Sequence, residues 1–355
     1  MAYTTINKPT DYFNTKLYTG NGSAGHSITG VGHQPDLVWM KGRNQAFDQC
    51  WYDAVRGVTK LIRSNLTNAE ATQSGVTAFG SDGFTLGSSG ETNSNNDTYV
   101  AWNWKAGTTS GIATNGSTVT TPSSYSFNQT SRFSILQYTG TGNTNNKLAH
   151  GLGVKPDFII FKKTSGDINW GIYHQSLTAD YRLLFTTGAK SDDDSFMQDS
   201  EPDSVNINLG YGGLNNASGA TYIAYCFAEG TGFSKFGKYI GNGNATTPPF
   251  IYTGFKPALV ITKISSGSTN GWTVSDIKRD NAVGGNGNGI GARVLANASS
   301  TEETNNIWAS IQKYSNGFSP QGTDAVTNAN GSTYIYAAFA AAPLVGSNDI
   351  PANAR

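Results

Sequence analysis

Charged residues are scarce in this chain, and the charges that are present balance. Lysine and arginine number 24, aspartate and glutamate number 24, and the charged fraction of 14% lies well below the ~25% typical of globular proteins. A net charge of +0 provides no basic field to attract phosphates. The composition therefore argues against nucleic-acid binding and indicates a surface kept soluble by neutral polar groups.

Cysteines and long apolar runs are also in short supply. Cys50 and Cys226 stand far apart, in no spacing that would hold zinc or build a disulfide framework. The opening residues MAYTTINKPTDYF contain no apolar signal segment, and no uncharged apolar run reaches the ~20 residues needed to cross a bilayer. We therefore expect a protein that is made in the cytoplasm without classical secretion and does not insert into a membrane.

What the sequence does contain is one motif written three times. The stretch YTGNG returns as YTGTG and YIGNG, a proline follows the tyrosine after 17 or 18 residues, and a tryptophan and a closing TYVAWNWKA-like strand come later. The repeat-equivalent positions are Tyr18, Tyr138 and Tyr239; Pro35, Pro156 and Pro257; Trp51, Trp170 and Trp272; and Tyr99, Tyr222 and Tyr334.

These repeats divide the chain into units. Unit 1 covers 1–106, unit 2 covers 132–229 and unit 3 covers 233–342, with a Gly/Ser/Thr-rich linker at 107–131 and a tail at 343–355. The linker composition favours a flexible or extended path. Apolar runs of four to eight residues, rich in β-branched and aromatic residues and bounded by Gly, Asn and Pro, are typical of strands. The sequence predicts an all-β protein of three tandem antiparallel β-sandwich repeats.

The glycines of YTGNGSAG have the spacing of a dinucleotide-binding turn. That motif needs its third glycine, here Gly25, and a helix behind it to receive the pyrophosphate. The other two copies lack the third glycine, and an apolar strand follows in all three. We interpret the stretch as a hairpin turn and expect no cofactor.

The titratable residues form no recognisable catalytic set. The four histidines occur in no metal-ligand spacing, and no GxSxG is present. The acidic stretch 191–203 offers Asp192, Asp193 and Asp194 as candidate calcium ligands, although it lacks the glycine and terminal glutamate of an EF-hand. A solvated loop is the favoured interpretation. We predict no catalytic residues, and the sequence singles out no binding residues.

The recurring tryptophans and the differing loops have opposite meanings. A side chain required in every copy is expected in the core rather than in a ligand site, and Trp104 is expected to be buried with Phe227 and Phe339. The loops 44–50, 164–169 and 280–291 differ in length and sequence around a constant frame. Because function is often found in loops on a rigid scaffold, these loops are candidates for ligand contact.

At the level of the repeat, YTGNG, SITGVG-x-QPDLVW and the closing TYVAWNWKA, the chain resembles a domain of unassigned function in virion proteins of marine tailed phages. It is more distantly similar to H-type lectin and phage tail-fibre tip sandwiches, although unit 2 lacks their GFTL. Those sandwiches form trimers and bind sugars, which implies that three units in one chain could mimic a trimer.

The resemblance predicts a non-enzymatic virion surface protein that assembles as an oligomer with other virion proteins. In one interpretation it is a tail-fibre or tail-tip module that attaches to host glycans. In the other it is a structural or head decoration protein that joins neighbouring virion subunits. A tail-associated glycan hydrolase is the outside alternative, and the sequence leaves these interpretations open.

Overall fold

The computed structural model describes residues 4–279, 292–304 and 309–346. Within these ranges the chain is built of strands, with two four-residue α-helices and two three-residue 3-10 helices, Pro9–Asp11 and Gln175–Leu177. Neighbouring strands of the sheets in these ranges all run antiparallel. The predicted all-β sandwich class is confirmed. The loop 280–291 and the tail beyond residue 346 lie outside the described residues.

Unit 1 folds into a large and a small sheet. Its elements are β1 (Phe13–Thr19), β2 (His26–Thr29), β3 (Leu37–Gly42), β4 (Cys50–Asp53), β5 (Lys60–Arg63), β6 (Ala71–Thr72), β7 (Val76–Gly80), β8 (Gly83–Leu86), α1 (Gly90–Asn93) and β9 (Thr98–Trp104). The large sheet has the order β1-β9-β3-β4-β5-β6, and the small sheet has the order β2-β8-β7.

Unit 2 repeats this plan and gains one strand from the linker. Its elements are β10 (Ser124–Asn128), β11 (Phe133–Thr139), β12 (Asn146–Ala149), β13 (Phe158–Lys163), β14 (Gly171–His174), β15 (Tyr181–Leu184), β16 (Ser191–Asp192), α2 (Asp194–Met197), β17 (Asn206–Leu209) and β18 (Thr221–Phe227). The large sheet has the order β10-β11-β18-β13-β14-β15-β16, and β12 pairs with β17. β17 therefore stands where unit 1 has GFTL.

Unit 3 has the same connectivity. Its strands are β19 (Ser234–Ile240), β20 (Ile251–Tyr252), β21 (Phe255–Ser266), β22 (Thr273–Asp276), β23 (Arg293–Leu295), β24 (Ile311–Tyr314), β25 (Gly317–Pro320) and β26 (Thr333–Pro343). The large sheet has the order β19-β26-β21-β22-β23, and the small sheet has the order β20-β25-β24. In every unit the closing strand (β9, β18 or β26) lies between the strand of the first repeated tyrosine (β1, β11 or β19) and the strand at or after the repeated proline (β3, β13 or β21).

The linker is an ordered part of the fold rather than a flexible connection. β10 pairs with β11 over five residues, and Thr120 bridges to Leu148 of unit 2. On its other side, the Ser126 hydroxyl donates to the Asp36 carboxylate of unit 1 at 3.2 Å. The linker therefore lies along the surface and joins units 1 and 2.

The repeated tyrosines clamp the first turn of each unit. The two tyrosines of a unit face each other on neighbouring strands, with ring centroids 5.0, 5.4 and 4.9 Å apart. Each hydroxyl donates to a backbone carbonyl at 2.6–2.8 Å in the stretch before the closing strand. A buried asparagine of that stretch accepts from the turn backbone at 2.8–3.0 Å in all three units. These asparagines are Asn93, Asn216 and Asn328.

The turn glycines are required by this close approach. A Cβ on Gly20 would lie 2.1 Å from the Ser94 carbonyl oxygen, whereas a Cβ on Gly25 would meet nothing within 4 Å. We expect Gly20→Ala to lower the free energy of unfolding by about 3 kcal/mol through backbone overpacking. Gly25→Ala, which adds only left-handed strain at φ 85°, should cost about 1 kcal/mol. Urea titration of both variants checks the order, and equal losses would contradict the clamp.

The three large sheets share one core. Trp104, Phe227 and Phe339, from the three closing strands, contact one another with ring centroids 5.5–6.1 Å apart. The predicted burial of Trp104 with Phe227 and Phe339 is therefore correct. The opposite face of each large sheet packs on its own small sheet in a separate apolar cluster. Each unit is thus a sandwich whose large sheet also faces a central core common to all three units.

The strand register corrects one repeat assignment. Trp51 pairs with Trp39, and the residues in the same place of the other units are Ile172 and Val274. Trp170 and Trp272 correspond instead to Gln49. All three tryptophans are buried, at 1–2% exposure, so they serve the core and are not accessible to a ligand. The tyrosine assignments agree with the register. The proline assignments agree as well, because each proline stands two residues before Leu37, Phe158 or Leu259, which pair with Trp104, Phe227 and Phe339.

Candidate functional site

Trp170 and its counterparts in the other units form hydrogen bonds to the neighbouring unit. We call each contact between two neighbouring units a seam. The indole of Trp170 donates to the Arg63 carbonyl of unit 1 at 3.0 Å, and that of Trp272 donates to the Leu184 carbonyl of unit 2 at 2.8 Å. The Gln49 amide makes the equivalent bond to the Leu295 carbonyl of unit 3 at 2.8 Å. The three seams therefore join the units in a closed ring.

Three buried lysines reinforce the same seams. Lys41, Lys162 and Lys263 occupy one strand position, and each ammonium donates to a carbonyl of the neighbouring unit at 2.9–3.1 Å. Burial lowers the pKa of each to about 8. Because all three ammonium groups are committed to carbonyls that hold units together, we assign them a structural role.

Two buried charge clusters cross the seams as well. Asp276 accepts from Arg279 at 2.6 Å and from the Trp102 indole of unit 1 at 3.0 Å. Asp53 accepts from Arg56 at 2.5 Å, and from the Tyr225 hydroxyl of unit 2 at 2.7 Å. At the third seam the corresponding residue is a histidine.

That histidine is His174, and it is fully buried. Its Nε2 lies 3.1 Å from the Tyr336 carbonyl of unit 3, and its Nδ1 accepts from the Ser176 N–H at 3.1 Å. Because Nδ1 already accepts, the ring is held in its neutral form, and burial lowers its pKa to about 4. His174 is thus another seam residue, with no observed relation to a ligand site.

Two of the three loops that the sequence nominates for ligand contact, 44–50 and 164–169, lie in the seams, and the third, 280–291, lies outside the described residues. In 164–169, the Ile168 N–H donates to the Thr67 carbonyl and the Asp167 carboxylate accepts from the Ala69 N–H. In 44–50, the Gln49 amide bonds to unit 3. These two loops differ because they fit different neighbours, and we therefore look for a candidate site elsewhere in the described part of the chain.

The acidic stretch brings together a set of three carboxylates that differs from the predicted calcium ligands in one residue. Oxygens of Asp192, Asp194 and Asp199 lie within 4.8 Å of one another, and all three residues are exposed. Asp193 instead caps α2 by accepting from the Ser195 N–H, and it pairs with Arg182. Exposed acidic groups often lie this close together without binding an ion, so the cluster carries no assignment.

Exposed large apolar side chains mark a different place. In the described ranges they are Val58, Val119, Tyr211, Ile240, Phe250 and Tyr252. Phe250, directly before β20, and Tyr252, in β20, are 52% and 51% exposed, and both lie on the side opposite the buried Ile251. Single exposed apolar side chains are common on protein surfaces, whereas two large exposed aromatic side chains next to each other on one face are unusual.

A third aromatic side chain completes this surface, which we call the aromatic platform: Phe250, Tyr252 and Tyr314. Tyr252 pairs with Gly317, and Gly317 pairs with Tyr314, so a glycine separates the two tyrosines across the small sheet. The Phe250 and Tyr314 rings meet edge to face with centroids 5.7 Å apart. A Cβ on Gly317 would lie 2.8 Å from Cζ of Phe250, so the glycine leaves space for that ring.

Polar groups at the platform are neutral. The Tyr314 hydroxyl donates to the Gln312 side chain at 2.8 Å, and Gln312 shares the outward face of β24. The neighbouring Lys313 turns inward, where its ammonium donates to the Ser275 hydroxyl at 2.9 Å. The platform therefore combines aromatic faces with hydroxyl and amide groups, and the Lys313 ammonium is turned away from it.

The platform does not belong to the repeated framework. At the positions of Phe250 and Tyr252, unit 1 has Ser27 and Thr29, and unit 2 has Lys147 and Ala149. Residues that recur maintain the fold, whereas these aromatic residues occur in one unit and face solvent. The sequence carried a signal in PPFIY, where aromatics flank an isoleucine, but it did not show which side of the strand would be exposed.

Comparison with known proteins adds a family. The model of a family described as a domain of unknown function, DUF7483, matches residues 8–343. No curated protein matches the chain. None of the helices in the described ranges has the length and apolar character needed to cross a bilayer.

Proposed function

The chain belongs to the DUF7483 family, whose description assigns no function, and from that premise we propose a non-enzymatic phage virion surface protein that attaches to neutral host glycans through the aromatic platform. The observation that carries the proposal is an exposed aromatic surface present in one unit and absent from the equivalent positions of the other two.

The chemistry of the platform suits a sugar ring. One face of a pyranose presents C–H groups that pack against an aromatic face, while its hydroxyls need donors and acceptors at the rim. Phe250 and Tyr252 provide the faces, and the Tyr314 hydroxyl and Gln312 amide provide the polar groups. Since the Lys313 ammonium turns inward, a neutral glycan is favoured over an acidic one.

The scaffold supports the proposal because it holds the platform rigid. Ile251 and Phe318 pair across β20 and β25 and are buried in the cluster between the small and large sheets of unit 3. A pre-organised surface loses little conformational freedom on binding. The closed ring of three units is also what the resemblance to trimeric lectin-like sandwiches implies, and it supports the virion assignment. We expect other virion proteins as further partners, in an oligomeric assembly.

A glycan array tests the binding proposal with a matched pair of variants. Phe250→Ser combined with Tyr252→Thr gives unit 3 the residues that unit 1 carries, so the fold should be preserved. We expect at least a tenfold loss of affinity, about 1.4 kcal/mol, for the best neutral glycan. The control, Ser27→Ala with Thr29→Ala in unit 1, should bind as the unaltered protein does.

Two outcomes would overturn the proposal. The first is an array on which the unaltered protein binds no glycan at millimolar concentration. The second is equal affinity of both variants. Localisation of the protein in a virion reconstruction tests the second part of the proposal, the role on the virion. Density at tail fibres supports host attachment, and density only between capsid subunits would favour the decoration role.

A further inference from the structure

A cavity lies where the linker crosses unit 1. It has a volume of about 210 Å³ and is bounded by Asp36, Ala54 and Val55 from unit 1, and by Thr109, Tyr125 and Ser126 from the linker. We call it the linker pocket. Pockets for larger ligands measure ~300–1,000 Å³, so this one has room for a single small molecule.

A buried carboxylate lines the linker pocket. Asp36 is 5% exposed; one of its oxygens accepts from the Ser126 hydroxyl at 3.2 Å and the other from the Ala106 N–H at 2.9 Å. Asp36 takes part in none of the ion pairs formed by the described residues. Each carboxylate oxygen has a further lone pair, so the group can accept more hydrogen bonds from a ligand.

Comparison of Asp36 with its counterpart in unit 2 distinguishes the structural role of this position from a binding role. Asp157 follows the equivalent proline, and its carboxylate accepts from the Glu229 N–H at 2.6 Å, as Asp36 accepts from Ala106. The backbone N–H groups of both residues donate to the closing strand at 2.8 Å. The shared role is therefore to fix the closing strand, and the facing cavity with its hydroxyls is what unit 1 adds.

We propose that the linker pocket binds one neutral sugar residue, whose hydroxyls donate to Asp36 and exchange hydrogen bonds with Ser126 and Thr109. Tyr125, Ala54 and Val55 provide an apolar wall for the C–H face of the ring. A carboxylate beside hydroxyls and an aromatic ring accepts charge-assisted hydrogen bonds from a polyol, which are stronger than neutral ones. The inference rests on the proposed function for its ligand class but concerns a separate site.

The test uses the full chain with the platform removed by Phe250→Ser and Tyr252→Thr. Glucose, galactose, mannose and their N-acetylamino derivatives are titrated by saturation-transfer NMR. We expect one of them to bind this background, and we expect Asp36→Asn to weaken it about tenfold or more because a charged acceptor is lost. Asp157→Asn, which alters only the equivalent structural bond, should leave the affinity unchanged.

A second variant keeps the test valid if Asp36→Asn fails to fold. Ala54→Leu fills the pocket without touching the carboxylate, and it should also weaken binding at least tenfold. If no sugar binds the platform-free background, or if Asp157→Asn weakens binding as much as Asp36→Asn, the linker pocket is not a sugar site. Array binding that depends on Phe250 and Tyr252 would then still support the proposed function, so the two failures are distinguishable.

Discussion

Asp276→Ala should lower the free energy of unfolding by about 3–5 kcal/mol. Asp276 and Arg279 are both fully buried, and their contact lies at the seam between units 3 and 1. Removal of the carboxylate leaves the guanidinium buried with Glu302 as its remaining acid, and it also leaves the Trp102 indole without its acceptor. Chemical denaturation followed by tryptophan fluorescence measures the loss.

Two further variants make this prediction specific. Asp11→Ala removes an exposed pair with Lys8 and should have little effect. Asp276→Leu combined with Arg279→Met replaces the buried pair by apolar side chains and should recover much of the stability, because the cost comes from an unpaired buried charge. An Asp276→Ala protein as stable as Asp11→Ala would contradict the assigned role of the seam.

Phe227→Ala should cost about 3–5 kcal/mol, as large-to-small changes in cores do. The Phe227 ring stacks on Phe133 of its own unit at 4.6 Å and reaches both Trp104 of unit 1 and Phe339 of unit 3. Because the cavity would open at the point where all three closing strands meet, units 1 and 3 should be destabilised together with unit 2.

Hydrogen exchange separates this outcome from a local defect. Faster exchange is expected in β9 and β26 as well as in β18, while Phe250→Ala at the exposed platform should change stability by no more than about 0.5 kcal/mol. Faster exchange confined to unit 2 would mean that the three units are stabilised independently and that the shared core contributes little.

The sequence predicted the strand class well because its signals are local. Tyr18, Tyr138 and Tyr239 and the glycines after them repeat because a turn clamp needs them in every unit. The shared core was less visible, although TYVAWNWKA offers a clue. Apolar residues on both faces of a strand indicate a sheet covered on both sides, and β9 is buried at six of its seven positions.

The tryptophan assignment shows where spacing alone misleads. Trp51 lies 16 residues after its proline, and Trp170 and Trp272 lie 14 and 15 after theirs, which suggests one recurring position. The loops before β4 and β14, 43–49 and 164–170, are equally long, however, and strand pairing shows that Gln49 is the true counterpart, two residues before Trp51. Side chains two residues apart share a face, so Trp51 still points into the core.

The candidate site could not be derived from the sequence for a related reason. The differing loops 44–50 and 164–169 looked like ligand loops, but they fit different seams. Phe250 and Tyr252 looked like ordinary strand residues, because exposure depends on how β20 lies on unit 3. The linker pocket was also not predictable from the sequence, because Asp36 and Tyr125 come together only when the linker folds back over unit 1.

The most direct test of the account is a crystal structure of the protein with the best-binding neutral glycan from the array. We predict that a sugar ring packs on Phe250 and Tyr252, with its hydroxyls near Tyr314 and Gln312. A glycan bound only at the loops 44–50 or 164–169, with the platform empty, would contradict the central claim that the non-repeated exposed residues carry the function.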